Sequence, residues 1–307
     1  MIADELLERV EAGGLIAGPA PLVVMLSGGR DSVCTLDLAV RARGAEAVTA
    51  LHVNYGLREE AGEDELHCEE LCARLGVPLE VERARRQADD GNLQAWARDR
   101  RYAAAARLAE DAGATIVTGH TADDQVETIL YRLASSPSRR ALLGMRPLDG
   151  RLARPLLTTT REETTAYCEE RGLAWRDDAT NEEGEYKRSL LRRELVPALE
   201  RIHPAARENV LRTAALLREE AELLDSLVDA ELEGGSISHQ RFAELHPALR
   251  RLVLQRLADE AAGRPVAGAA RFADQVAGLS RGGSALDLGS GVRAVLEGGV
   301  LRARLYI

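Results

Sequence analysis

Six residues near the N-terminus, Ser27-Gly28-Gly29-Arg30-Asp31-Ser32, have the make-up of an anion site. They follow an apolar run at 21–26 (PLVVML) and precede a helical pattern, so they join a strand to a helix. Two glycines let the backbone turn tightly and approach a ligand without a Cβ in the way. The helix start adds unpaired N–H groups and a partial positive charge, and Ser27 and Ser32 add hydroxyls. Asp31 does not suit a bare phosphate cradle, because a carboxylate repels a phosphate; it becomes sensible if a divalent cation bridges the two. The loop is neither a G-x-x-x-x-G-K-S/T nor a G-x-G-x-x-G sequence. A plain glycine turn between strand and helix is the reading the hexapeptide alone leaves open.

Two other groups have chemically useful spacing. Asp124 and Glu127 stand three apart at a helix start, in Asp123-Asp124-Gln125-Val126-Glu127, and so share a face. A helix N-cap cluster is the plainer reading of the same residues. Arg98 and Arg101, also three apart, suit a carboxylate or a phosphate, which a guanidinium grips with two parallel bonds; a solvated helix face is the alternative. The four cysteines (Cys34, Cys68, Cys72, Cys168) form no C-x-x-C pair. Cys68 and Cys72, next to His67, read as small core residues of one helix face.

These residues need a scaffold. Runs at 21–26, 47–53, 78–82 and 114–120 read as strands, too short for helices. Helical stretches at 32–43, 60–75 and 93–112 each stop at a glycine (Gly44, Gly76, Gly113). Strand alternating with helix predicts an α/β fold with a doubly wound parallel sheet. In such sheets ligands lie beyond the carboxyl ends of the strands, so the loops after residues 26, 53 and 118 should hold the site. Residues 135–186 loosen into loops and one helix at 161–171, and another helix is expected at 187–201. From residue 206 the pattern changes to amphipathic helices and then a glycine-punctuated hairpin or meander. Domains of 1–205 and 206–307, the second a smaller α+β domain, are expected.

Of 307 residues 45% are hydrophobic and 29% charged, which excludes global disorder. No apolar run approaches a membrane span, and the acidic N-terminus MIADELLERV lacks the bases of a secretory signal; a cytoplasmic protein without membrane contact is expected. The net charge of −10 argues against a general nucleic-acid coat, yet charge is unevenly spread. Residues 131–154 carry six arginines against Asp149 alone, residues 186–207 six bases against two acids, and residues 59–70 seven acids and no base. Such polarity allows a local track for a phosphate backbone.

The hexapeptide matches S-G-G-x-D-S, the signature of the PP-loop ATP pyrophosphatases. Four further stretches resemble one family within them, the tRNA(Ile)-lysidine synthases. They are His52-Val53-Asn54-Tyr55-Gly56-Leu57-Arg58; Asn92-Leu93-Gln94-Ala95 with Ala97-Arg98 and Arg101-Tyr102; Gly119-His120-Thr121-Ala122-Asp123-Asp124-Gln125-Val126-Glu127-Thr128; and Asp178-Ala179-Thr180-Asn181 with Tyr186-Lys187-Arg188. With Arg154-Pro155-Leu156-Leu157 they run in the family's order from residue 22 to about 200. Tyr55, Thr121 and Ser189 depart from the family's usual residues, and Ser135-Ser136-Pro137-Ser138-Arg139-Arg140 stands where it usually has a glycine-bearing loop. The chain looks like a short form without the extra C-terminal domain of longer relatives.

The resemblance implies a reaction: ATP adenylates C2 of the wobble cytidine in an isoleucine tRNA with a CAU anticodon, and the ε-amine of free lysine displaces AMP. It implies ATP contacts from Ser27, Gly28, Gly29, Arg30, Asp31 and Ser32, with His52 and Asn54 near the base and able to contact it through side chain or backbone. It implies Mg²⁺ on Asp31, Asp123 and Asp124, and catalysis by Asp31, Asp124 and Glu127. Lysine falls to Asp124, Glu127, Arg98 and Arg101, and tRNA to Arg132, Arg139, Arg140, Lys187, Arg188 and Arg192, with the domain from 206 facing the tRNA. A homodimer is among the assemblies the sequence allows. Another PP-loop tRNA-modifying enzyme, of thiolase or amidotransferase type, or a non-catalytic ATP sensor, are the rival readings.

Overall fold

A computed structural model describes residues 1–57, 61–86, 91–135, 139–176, 185–280 and 283–306. The chain divides into two compact units, Met1–Ala215 and Leu216–Ile307. The division falls inside a long helix that starts at Ala206, where the sequence changes character.

The first unit runs α1 (Ile2–Ala12), β1 (Leu22–Met25), α2 (Arg30–Arg43), β2 (Val48–Asn54), α3 (Ala61–Leu75), β3 (Leu79–Arg83), α4 (Leu93–Ala112), β4 (Thr115–Val117) and α5 (Ala122–Ser135). Two-residue strands β5 (Leu148–Asp149) and β6 (Leu152–Ala153) follow, then α6 (Arg161–Glu170), α7 (Glu185–Leu190), α8 (Val196–Ile202) and α9 (Ala206–Glu231). Between α7 and α8 the helix widens into one π turn, Leu191–Leu195. The predicted helices at 93–112 and 161–171 are α4 and α6. The predicted strand at 114–120 ends at Val117, because Thr118–Thr121 leave the sheet to begin a loop. The pair β5–β6 falls where only loop was expected; two-residue strands carry no periodicity to read.

Sheet order is β3-β2-β1-β4-β6-β5, parallel except for the β5–β6 edge. The chain steps outward from β1 to β3, then returns to the other side of β1 for β4. That reversal opens a crevice between the loops after β1 and β4, where ligands settle in such sheets. Along β1 the side chains alternate: Leu22, Val24 and Leu26 pack toward α1, α2, α3 and α6, whereas Val23 and Met25 pack with Leu51, Val53 and Trp96 toward α4. Burial on both faces explains the unbroken apolar run. Local chemistry fixes the helix ends. Asn92 caps α4 by accepting from the N–H of Gln94 and Ala95, and Gly113 closes it in the left-handed region. Thr160 and Glu163 form a reciprocal capping box at the start of α6.

The second unit comprises the end of α9, β7 (Ser236–Ser238), α10 (His239–Glu244), α11 (Pro247–Ala262), α12 (Ala273–Ala277), β8 (Ser284–Gly289), β9 (Val292–Glu297) and β10 (Val300–Leu305). Its antiparallel sheet, β7-β10-β9-β8, includes the meander expected at the C-terminus. Phe242, Leu254, Leu288 and Leu301 lie in its separate core.

Candidate active site

A cavity of about 310 Å³ opens at the crevice between β1 and β4. One wall is polar: Ser27, Gly29, Arg30, Asp31 and Ser32. The loop is held by its own hydroxyls. Ser32 Oγ donates to the Gly29 carbonyl at 2.7 Å and accepts from the Ser27 N–H at 3.1 Å. Gly28 adopts φ +85°, which favours glycine. Gly119, after β4, lies hard against the first turn of α2: a Cβ there would be 2.6 Å from the Asp31 carbonyl oxygen and 2.7 Å from Thr35 Oγ1. This close approach brings the two loops together.

The other wall is apolar, made by Met25, Leu51, Val53, Tyr55 and Tyr102. Here the expectation for His52 and Asn54 narrows to the backbone, because neither side chain borders the cavity. His52 is buried with Nδ1 3.0 Å from the Leu26 carbonyl, and Asn54 Nδ2 donates to Glu65 at 2.7 Å and to the Ala61 carbonyl. The cause is strand alternation: residues 52 and 54 face α3, and 51, 53 and 55 face the cavity. Tyr55 is fixed there by donating to the Ala97 carbonyl at 3.0 Å and packing on Trp96.

Beside the cavity three carboxylates converge on Arg161, the first residue of α6. Its Nη1 donates to Glu127 at 2.9 Å, its Nη2 to Asp124, and its Nε lies 3.8 Å from Asp31. Thr164, one turn on, donates to Asp31 at 2.6 Å. Arg192, from the π turn, grips Glu127 with Nε at 2.9 Å and Nη2 at 3.3 Å. With Arg30, whose Nε lies 3.3 Å from Asp31, three acids thus meet three arginines. Burial raises the Asp31 carboxyl above the usual carboxylate range, against the opposing pull of Thr164 and Arg30. Burial acts in the same sense on Asp124, but Arg161 and the Thr121 N–H overcome it and hold Asp124 low. Burial, then Arg154, Arg101 and Arg98, lowers His120 to about 4, so it stands neutral beside Asp124.

Sequence reading missed Arg161, and no local signal marks it. It missed Arg176, which lines the cavity, as well. Asp123 was expected with Asp31 and Asp124, but its carboxylate accepts from the Arg161 backbone N–H at 2.9 Å and from Arg207 at 2.6 Å. It therefore anchors α6 and α9. Among the described residues, no group of three or more His, Cys, Asp or Glu side chains stands where it would hold a metal ion. Asp31 and Asp124, on one guanidinium, fit a magnesium ion that takes its other ligands from phosphates and water, the ordinary habit of Mg²⁺.

Of the two arginines on α4, Arg101 borders the cavity and Arg98 lies over the Tyr102 ring, 4.6 Å from its centroid. Among the residues expected on RNA, Lys187 and Arg140 are exposed, Arg132 donates to the Gly144 carbonyl at 2.8 Å, and Arg192 is taken by Glu127. Glu127 is 5% exposed and Arg192 46%; a buried carboxylate must be paired. The side chains of Arg139 and Arg188, and residues 177–184 with Asp178-Ala179-Thr180-Asn181, lie outside the described set. All four cysteines are buried. Burial pushes the Cys68 thiol up to about 12 and Cys72 to about 11, which makes them core residues and poor nucleophiles.

The profile of the PP-loop domain matches residues 4–199. Curated relatives share the same region and beyond. The tRNA(Ile)-lysidine synthase of Thermus thermophilus is 39% identical over 82% of this chain and 51% of the relative. That of Symbiobacterium thermophilum is 35% identical over 95% and 67%, and that of Dehalococcoides mccartyi 33% identical over 86% and 61%. The U34-tRNA thiolase NcsA of Methanococcus maripaludis, at 16% identity and TM-score 0.59 over 71% of this chain and 79% of its own, shares the fold. The chain belongs to the PP-loop family. Within it, the chain falls among the tRNA(Ile)-lysidine synthases, and it spans about half to two-thirds of the length of these relatives.

Proposed function

We propose that the protein is an ATP-dependent carbon–nitrogen ligase that makes lysidine in an isoleucine tRNA with a CAU anticodon. The observation that carries this reading is the set of carboxylates on Arg161 beside a phosphate-type loop. An adenylating enzyme that must also receive an ammonium needs both, side by side. In the first step the oxygen at C2 of the cytidine attacks the α-phosphorus of ATP, and pyrophosphate leaves. The backbone N–H groups of Gly28, Arg30 and Asp31, rather than those of Ser27, Gly29 and Ser32 that bond within the loop, are the donors for the departing charge, and the apolar wall from Leu51 to Tyr55 receives the base. Asp31 and Asp124 would hold a magnesium ion, which would supply charge neutralisation on the phosphates.

In the second step the ε-amine of lysine attacks C2 and AMP leaves. An unperturbed amine has pKa about 10.4, so roughly one in two thousand is neutral at pH 7; a carboxylate must take its proton. Asp124 and Glu127 are the acceptors, and Arg101 at the cavity wall receives the lysine carboxylate. Glu127 becomes available when Arg192 turns to a phosphate of the RNA, the role its basic stretch suggests. No helix among the described residues is long and apolar enough to cross a membrane.

The test is AMP and pyrophosphate release from ATP and Mg²⁺, with and without lysine and the tRNA, alongside entry of radiolabelled lysine into the RNA. Lysine incorporation with stoichiometric AMP is expected. ATP cleavage without incorporation would reject the nucleophile or the RNA, and binding without turnover would favour a sensor.

A further inference from the structure

We propose that Arg176 is a further residue of the nucleotide site, whose guanidinium holds the pyrophosphate end of ATP as that group departs. The inference rests on the reading above for the identity of the nucleotide. Its backbone N–H donates to the Gly28 carbonyl at 3.0 Å, and its own carbonyl lies 3.9 Å from where a Gly29 Cβ would stand. The chain at 176 therefore runs along both glycines of the phosphate loop. Arg176 lines the cavity together with Ser27, Gly29 and Arg30.

The guanidinium is aimed by α3. Nε donates to Asp64 at 2.7 Å and Nη2 to Glu63 at 2.8 Å, while Nη1 enters neither bond. Two carboxylates on one edge fix the plane of the fork before any ligand arrives, which lowers the entropy lost on binding. The same bonds give two acids of the 59–70 stretch, Glu63 and Asp64, a cationic partner beside the phosphate loop. Arg30, the other cation of this wall, gives its Nε to Asp31 at 3.3 Å.

The chemistry asks for such a cation. When the α-phosphorus is attacked, the P–O bond to the β-phosphate breaks and its electron pair stays on pyrophosphate, adding one negative charge. A guanidinium already in place stabilises that charge without reorganisation. AMP has no β-phosphate and leaves Arg176 untouched.

The experiment uses the full chain and a fluorescent trinitrophenyl-ATP, displaced by pyrophosphate or by AMP with neither RNA nor lysine present. For Arg176→Gln the pyrophosphate dissociation constant should rise about 10-fold, the worth of one charge-assisted hydrogen bond. AMP should change by less than about twofold, and Arg176→Lys should recover part of the loss. Glu63→Gln, which loosens the fork but keeps the charge, should weaken pyrophosphate binding by only about two- to threefold, clearly less than Arg176→Gln. Unchanged pyrophosphate affinity in Arg176→Gln, equal weakening of AMP, or the same loss in Glu63→Gln would each overturn the proposal. Wild-type protein that binds no pyrophosphate would overturn it too. A failure of lysine to enter RNA would reject the ligase reading and leave this result standing.

Discussion

The two halves of the site are built differently. The phosphate loop is held by neighbours in sequence: Ser32 closes on Gly29, Ser27 on Ser32, and Gly28 turns where a side chain would be strained. The carboxylate half is held by distant partners. Arg161 reaches Glu127 and Asp124 across 34 and 37 residues, and Arg192 reaches Glu127 across 65. Neutral short-range bonds make a rigid cradle, whereas charges drawn from several helices make a site whose geometry depends on the whole unit. Perturbing one half should leave the other measurable.

The largest separation is expected from Glu127→Gln. Removing a positioned proton acceptor should lower kcat/KM for lysine about 100- to 10,000-fold while nucleotide affinity stays within about twofold, measured by lysine incorporation and by trinitrophenyl-ATP binding. Equal loss of both would show the halves to be one unit. Gly119→Ala attacks the junction: with the Asp31 carbonyl 2.6 Å from the new Cβ, it should destabilise by about 1–3 kcal/mol and weaken nucleotide binding, read by thermal melts and titration.

His52→Ala sharpens the contrast on one strand. It removes a buried ring bonded to the Leu26 carbonyl, so about 1–3 kcal/mol of stability should be lost with the nucleotide dissociation constant nearly unchanged. A large change in affinity would return His52 to the cavity wall. The smallest effect is expected at the cap of α6. The Thr160 N–H and Arg9, outweighing burial, hold Glu163 below the usual carboxylate range. Its folded-state value is depressed, so its stabilisation is present above the ordinary carboxylate pKa and is lost as pH falls through the depressed one. Glu163→Gln should therefore melt below wild type at pH 7, by about 0.5–1 kcal/mol, with the difference vanishing in acid.

What could be read in advance follows the same division. The loop at 27–32 and the helix stops at Gly44 and Gly113 were legible because their chemistry is local. Arg161 was not, since nothing in Arg161-Glu162-Glu163 distinguishes a site residue from an ordinary first helical turn. Asp123 and Asp124 are neighbours in sequence, yet helix geometry sends one to Arg207 and the other to Arg161. His52 is the instructive miss: a period of two, applied along β2, would have set it apart from Leu51 and Val53. Arg192 was read as part of a charged stretch, and only the packing of the π turn on α5 shows which anion it meets.

That turn also makes the site sensitive to chain length. A π turn holds one residue more than an α turn, so deleting a single residue within Leu191–Leu195 would let the helix run through regularly. The segments on either side would keep nearly the same faces toward their neighbours, because a π turn absorbs its extra residue within one wider turn. Arg192, carried by the bulge itself, would lose the backbone position from which it reaches Glu127. At this point the spacing of the chain, independent of its composition, decides whether Arg192 meets Glu127, and insertions or deletions should disturb the site more here than in an exposed loop nearby.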